Sequence, residues 1–395
     1  MKKYFLIFTL ASINLLAQIK YDTISTSIVS MGIKYSKIIE KTTPWSIHIL
    51  EIDLNNPQLK IESFKAANHI KGNERTSVMA KQNSYTGHKV VAAINGDFYH
   101  AGGIPTNIQI RNGQIVTLPI ARTIIAFDVN NKPIMNSIKY FGKIFNGNSS
   151  FNIDGVNITR KANQLVLFNR YFGEATGTNS AGREFLIRRV NNWLVNDTVK
   201  CVVAKIQVGM GNMIIPDTTF AVISAEGASI DFSKSIRIGD TLKILNTITP
   251  AIPKVKEAIG GFIQVVNNGK DYVDQSYVKE NKPGHALLRH PRTAVGFSQD
   301  STKLYLIAVD GRQTHSVGMT LHELADIMVK IGVHYGLNLD GGGSTTMVVQ
   351  DSIMNKPSDG FERAVGNGLL IISTDQNEKV SWLSFPSKSR IYLKD

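Results

Sequence analysis

The sequence has one cysteine, Cys201, in 395 residues. An intrachain disulfide is therefore impossible, and so is any metal motif built on cysteine. Stability has to come from core burial. Cys201 opens the apolar run Cys201-Val202-Val203-Ala204 and reads as an inert core residue. The nine histidines make no His-x-His or His-x-x-x-His pair, so a zinc site has little support. His285 and His290 simply flank Arg289 ahead of Pro291-Arg292. Lysines and arginines are spread without a basic block or interleaved aromatics, and no nucleic-acid partner is expected. Low-complexity tracts and internal repeats are also missing. Beyond the first residues no apolar run is long enough to span a bilayer, so stable membrane insertion is not expected.

What is there is a globular composition, 43% hydrophobic and 19% charged, with a net charge of +13. That excess of positive charge favours anionic partners. Met1-Lys2-Lys3 precedes a run of about fourteen mostly apolar residues ending near Ala17, the pattern of a cleaved secretory signal peptide over 1–17. A secreted or periplasmic protein is the expectation. Residues 18–87 read as a strand-rich entry segment, with strands at Trp45–Leu54 and Leu59–Phe64. Residues 121 to 255 are strand-rich and poor in motifs; Arg183-Glu184 there reads as a solvated charge pair. The tail 374–395 reads as a packing extension.

The chemistry gathers where apolar runs stop. Val333-His334-Tyr335-Gly336-Leu337-Asn338-Leu339 alternates as a strand with one buried face. It ends in Asp340-Gly341-Gly342-Gly343-Ser344-Thr345. A carboxylate followed by three residues without Cβ lets a ligand approach the main chain and its N–H groups. Upstream, Lys303–Val309 reads as a buried strand ending in Asp310-Gly311-Arg312. Between them lies a helix, with capping-box spacing at Thr320 and Glu323, an apolar stripe of Leu321, Leu324, Ala325, Met328 and Ile331, and a stop at Gly332. Strand, helix and strand form a βαβ pattern whose strands run parallel, so Asp310 and Asp340 emerge at one sheet edge. Hard carboxylate oxygens there suit a divalent cation such as calcium, although no cofactor is required. The expected fold is mixed α/β or α+β: mixed β-sheets with packed helices and this C-terminal βαβ unit. A further buried strand, Val90–Ile94, ends in Asn95-Gly96-Asp97-Phe98-Tyr99, and Ile108–Val116 reads as a hairpin turning on Asn112-Gly113.

These elements, with Pro291-Arg292-Thr293-Ala294-Val295-Gly296 before them and Glu362-Arg363-Ala364-Val365-Gly366-Asn367 after, follow the order and spacing of a known family. The chain resembles the phosphodiester glycosidase family over about residues 88–373. The resemblance implies cleavage of a sugar-1-phosphodiester such as an α-N-acetylglucosamine-1-phosphodiester. In that chemistry the leaving phosphate is held by guanidinium groups, for which Arg292, Arg312 and Arg363 are the candidates. Arg363 has a competing structural reading as an ion-pair partner of Glu362 or Asp359. The oxocarbenium-like carbon needs a carboxylate, with Asp340 first, Asp310 second and Asp97 third. Ser344, Thr345 and the N–H groups of Gly341, Gly342 and Gly343 would orient oxygens. Asn95, Gly96 and Asn367 would contact the sugar, with Phe98 or Tyr99 stacking on its ring. Gly260-Gly261 matches a family glycine pair and would let the main chain approach the ligand. The implied partner is a phosphorylated carbohydrate or anionic polysaccharide. Two other functions fit the same residues, a glycan-binding protein without turnover and an exopolysaccharide assembly factor.

Overall fold

A computed structural model describes residues 23–234, 236–250, 253–280, 286–375 and 383–385. The expected leader over 1–17 lies outside them, as do His285 and most of the tail. The described chain is predominantly β: three α-helices accompany four large sheets. This corrects the expected α/β or α+β class. Nearly every strand pair is antiparallel, the parallel exception being Gly155–Val156 beside Leu165–Asn169.

The first sheet has nine strands and carries the Asp310 and Asp340 strand ends. Lys303–Val309 and Tyr335–Asn338 both run antiparallel to Arg292–Phe297, which lies between them. They are thus parallel to each other, as expected, but not neighbours, and no adjacent βαβ pair exists. The strand Arg292–Phe297 precedes both in sequence and inserts between them, bringing Arg292 to the same edge as the two acids. On the outer side of Lys303–Val309 lies Trp45–Asp53. The N-terminal strands are therefore part of this sheet.

The helix Leu321–Lys330 forms as its caps dictate. Glu323 N–H donates to Thr320 Oγ1 at 3.1 Å, and Thr320 N–H donates to Glu323 Oε2 at 2.9 Å. Its stripe of Leu321, Leu324, Ile327 and Met328 packs on Ile47, Ile49, Ile307, Val309 and Ala294. Full burial of such side chains contributes roughly 2 kcal/mol each. Gly332 ends the helix with φ of +98°, open to glycine at little cost.

Alternate residues of the same strands, Leu50, Ile52, Leu304 and Leu306, face a second sheet across a shared core. That sheet includes Lys89–Asn95 paired with Met347–Val349 and with Asn367–Ser373. A third sheet holds the hairpin strands Gln109–Arg111 and Gln114–Thr117 beside Val255–Gly260. Its far face packs on an eight-stranded sheet through Ile110, Ile124, Phe185 and Leu242. Cys201 is fully buried there, and burial pushes its thiol up to about 12, as suits an inert core residue. Glu184, expected in a solvated pair, is instead fully buried and accepts from Thr176 Oγ1, Thr178 Oγ1 and the Met213 N–H.

Candidate active site

The first and second sheets bring two strand ends together. Asp97 follows Lys89–Asn95, and Asp340 follows Tyr335–Asn338. Between them the main chain is stitched: Asp340 N–H donates to Gly96 O at 2.9 Å, and Asn95 Nδ2 donates to Asp340 O at 2.6 Å. Asn95 Oδ1 accepts from Thr293 Oγ1 and from the Thr346 N–H. Both ends of that amide are used within the protein, so Asn95 joins the loops. Asn367 does the same for Asp97, its Oδ1 accepting the Asp97 N–H at 2.8 Å while Nδ2 reaches Gln109 Oε1 at 3.3 Å. Gly96 is required by the close approach, because a Cβ there would stand 2.5 Å from Asn367 Oδ1.

Asp97 is 1% exposed. Its Oδ2 accepts the Asn107 N–H at 2.8 Å, and its Oδ1 has no partner. Burial raises its pKa to about 7; the N–H groups of Asn107 and Phe98 and the charge of Arg122 oppose the rise, and Asp340 adds to it. Asp340 is likewise raised by burial, to about 6, against the pull of Ser344, Arg363 and the Gly341 N–H. Ser344 Oγ stands close enough to lower Asp340 yet makes no well-formed hydrogen bond of its own. The pair therefore combines two carboxyls poised near neutrality, one with an unsatisfied oxygen. Gly260 and Gly261 serve this packing. A Cβ on Gly260 would meet Asp97 Oδ2 at 2.5 Å, and one on Gly261 would meet Asn338 O at 2.7 Å.

Cations and rings surround the pair. Arg122, which the sequence did not single out, lowers Asp97 and stacks 4.6 Å over the Phe262 ring. Phe98 packs edge-on against Phe262, centroids 6.0 Å apart, and Phe262 against Tyr277 at 6.1 Å. Tyr99 donates its hydroxyl to Ala364 O and so braces the Arg363 loop. Arg363 acts on Asp340 but is itself paired with Asp359 at 2.6 Å, which realises its structural reading beside its place at the site. That ion pair covers Gly343, where a Cβ would meet Arg363 Nη2 and Asp359 Oδ2 at 2.2 Å. The Gly342 N–H is held by Pro291 O, and the Arg312 guanidinium lies against Gly342. Thr345 Oγ1 accepts from Thr293. Arg292 donates to Met319 O and Leu288 O, and burial together with Arg312 lowers it to about 10.

Asp310 has other partners. Its Oδ2 lies 3.4 Å from His48 Nε2 and 3.1 Å from His315 Nε2, and its Oδ1 accepts the Lys356 N–H at 2.7 Å. The Tyr35 hydroxyl sits 2.8 Å from His48 Nδ1. Burial would raise Asp310, but the His48 contact, the Lys356 N–H and His315 together hold it below the usual carboxylate range. Asp310 and Asp340 do emerge at one sheet edge, as expected, but the acid that Asp340 acts on is Asp97, while Asp310 is held by His48, His315 and the Lys356 N–H. Among the described residues no group of three or more acids, histidines or cysteines is placed to hold a metal ion.

Two buried acids, flanked by guanidinium groups and aromatic edges, thus stand at strand ends where two sheets meet. The chain belongs to the phosphodiester glycosidase family, whose model matches residues 88–372. It is 37% identical over 108 residues to an uncharacterised SPbeta prophage protein of Bacillus subtilis, covering 25% of this chain and 17% of that one. It is 31% identical over 125 residues to the bovine N-acetylglucosamine-1-phosphodiester alpha-N-acetylglucosaminidase, covering 30% of this chain and 23% of the relative. These matches span less than a quarter of either relative. The fold is shared with a hypothetical protein from Synechocystis, at a TM-score of 0.63 and 18% identity over 87% of this chain and 62% of the other. A Burkholderia pseudomallei protein matches at a TM-score of 0.57 and 20% identity, over 84% of this chain and 74% of that one.

Proposed function

We propose that Asp97 and Asp340 are the catalytic pair of a hydrolase that cleaves sugar-1-phosphodiesters of the N-acetylglucosamine-1-phosphodiester kind. The carrying observation is the buried pair itself, with the unpartnered Asp97 Oδ1 and guanidinium groups on both flanks. The family and the name of the bovine relative supply the bond type.

The leaving group is a phosphate monoester, which departs without strong help from an acid but carries charge. Arg312 and Arg363 beside the glycine loop hold that charge. Near neutral pH Asp340, the less raised of the two, is the carboxylate that meets the developing positive charge at the anomeric carbon. Asp97, more raised, is the proton-bearing partner of the pair. Phe98, Phe262 and Tyr277 give the sugar an apolar wall. The net positive charge supports an anionic substrate, in this reading an envelope polymer, an exopolysaccharide or a host glycan. In this reading residues 88–373 carry the glycosidase site, and the strands Trp45–Asp53 and Leu59–Lys65 complete the sheets that hold it.

The test is release of free sugar from an α-N-acetylglucosamine-1-phosphodiester by wild type and Asp340→Asn. Turnover that falls at least about a thousandfold in the variant, with binding retained, supports the reading. Binding without turnover by the wild type would replace it with a glycan-binding role.

A further inference from the structure

A cavity of about 650 Å³ lies where the end of Pro133–Ser137, in the third sheet, meets the start of Lys139–Asn146, in the eight-stranded sheet. Leu118, Pro119, Ile120, Ile138, Pro250 and the Tyr140 ring give it apolar walls. The Tyr140 hydroxyl donates to Asn246 Oδ1 at 2.9 Å and is thereby engaged within the protein. Among the described residues, no carboxylate, carboxamide or guanidinium side chain lines the cavity. A sugar ring brings hydroxyls that need such partners, so these walls suit a hydrocarbon instead. Ile120 lines the cavity while 39% exposed, and a bound apolar group would cover it.

Sheet register ties the cavity to the acid pair. Ser137, in the lining, pairs with Thr123, and the next residue, Ile124, pairs with Gly260. Two strand spacings set Ser137 about 10 Å from Gly260, and Gly260 lies against Asp97 Oδ2. Asn107 makes a second tie: its N–H donates to Asp97 Oδ2, and its Oδ1 accepts the Ile120 N–H at 3.0 Å. Arg122 follows Ala121 of the lining and carries its guanidinium over Phe262, part of the proposed sugar wall. The arginines assigned to the phosphate flank Gly342 and Gly343 instead, in the loop after Asp340. A group that passes Arg122 into the cavity thus leaves from the sugar and not from the phosphate.

We propose that this cavity takes an acyl chain borne by the sugar, which makes the substrate an acylated amino-sugar 1-phosphodiester of the glycolipid kind. The position of the sugar comes from the proposed function, on which this assignment rests. The chain is bound whole, and no bond in it is made or broken. Lys139 places a cation in the lining, so a free fatty acid is the rival occupant. The two ties to Asp97 favour a chain carried by the substrate.

Turnover by the full chain is measured on methyl phosphodiesters of glucosamine 1-phosphate, N-acylated with acetyl, butanoyl, hexanoyl or octanoyl. KM falls about fourfold for each methylene that enters the cavity, while kcat stays nearly constant, as for binding shared by ground and transition states. Ala121→Phe, at an exposed position of the lining, fills the cavity and flattens the series, and Ile120→Ser weakens it severalfold. Calorimetric binding of N-octanoyl and N-acetyl glucosamine 1-phosphate, monoesters with no phosphodiester to cleave, reads the cavity without turnover. The octanoyl compound binds at least tenfold tighter, and Ala121→Phe abolishes the difference. That preference without hydrolysis of any diester would sink the catalytic assignment and leave the cavity's assignment standing. Equal binding of the two monoesters, a KM that does not fall with chain length, or a preference that survives Ala121→Phe would overturn the proposal. So would octanoate alone binding as tightly as the octanoyl sugar, or a disaccharide phosphodiester that gains as much as the octanoyl one.

Discussion

Asp97 carries the sharpest consequence of burial at the scale of one residue. Its folded-state pKa of about 7 lies above the ordinary carboxyl value, so the folded protein binds its proton more tightly than the unfolded chain does. Stability from this group is greatest at low pH and declines as pH rises from about 4 to about 7. Asp97→Asn removes the penalty and stabilises the protein at pH 8 by up to about 4 kcal/mol, with a much smaller gain at pH 5. Urea unfolding at the two pH values checks this; equal gains at both would show that the carboxyl is not held protonated. Asp310 behaves in the opposite sense. Its carboxylate accepts from Lys356 and lies against His48 and His315, so Asp310→Asn leaves one oxygen's worth of donors unmatched and costs about 3 kcal/mol, read as a lowered Tm.

Strand ends and turns account for what the sequence revealed. The glycine loop after Leu339, the Asn95-Gly96-Asp97 stop and the Thr320–Glu323 cap are local signals, and the structure realises each where it was read. The choice of acid partner was not local. Asp310 and Asp340 share a sheet edge, as strand, helix and strand imply, but Arg292–Phe297 lies between their strands and the second sheet brings Asp97 beside Asp340. Arg122 and Phe262 escaped notice for the same reason: cross-sheet neighbours far apart in sequence leave no spacing to read. Gly96 tests the element that joins the sheets. Gly96→Ala drives a Cβ into Asn367 Oδ1 and dislodges the acceptor of the Asp97 N–H, so kcat falls at least tenfold with a smaller loss in Tm. A kcat equal to wild type would mean that Asn367 does not position Asp97.

For the whole molecule, the family match begins at residue 88, whereas the sheets begin earlier. Trp45–Asp53 pairs with Lys303–Val309, and Leu59–Lys65 pairs with Asn367–Ser373. The N-terminal strands also supply Tyr35 and His48 to the Asp310 network. A chain starting at residue 88 would expose two strand edges and uncover part of two cores, and it is expected to fail to fold. Circular dichroism with a thermal melt decides this: a cooperative transition near that of the full chain would show that residues 88–373 are an independent unit. Within 23–87 the strand-rich character was legible from alternation, but its place inside the shared sheets was not, since alternation says which face is buried and nothing of the partner.

The pH dependence of kcat/KM for a sugar-1-phosphodiester, in wild type and Asp97→Asn, tests the acid pair most directly. Two raised carboxyls acting together predict apparent ionisations that belong to the pair and fall between about pH 6 and 7. In Asp97→Asn one ionisation disappears and the rate drops at least about a hundredfold. A wild-type profile without ionisations in that range, or one that Asp97→Asn leaves unchanged, would contradict the assignment of the chemistry to Asp97 and Asp340.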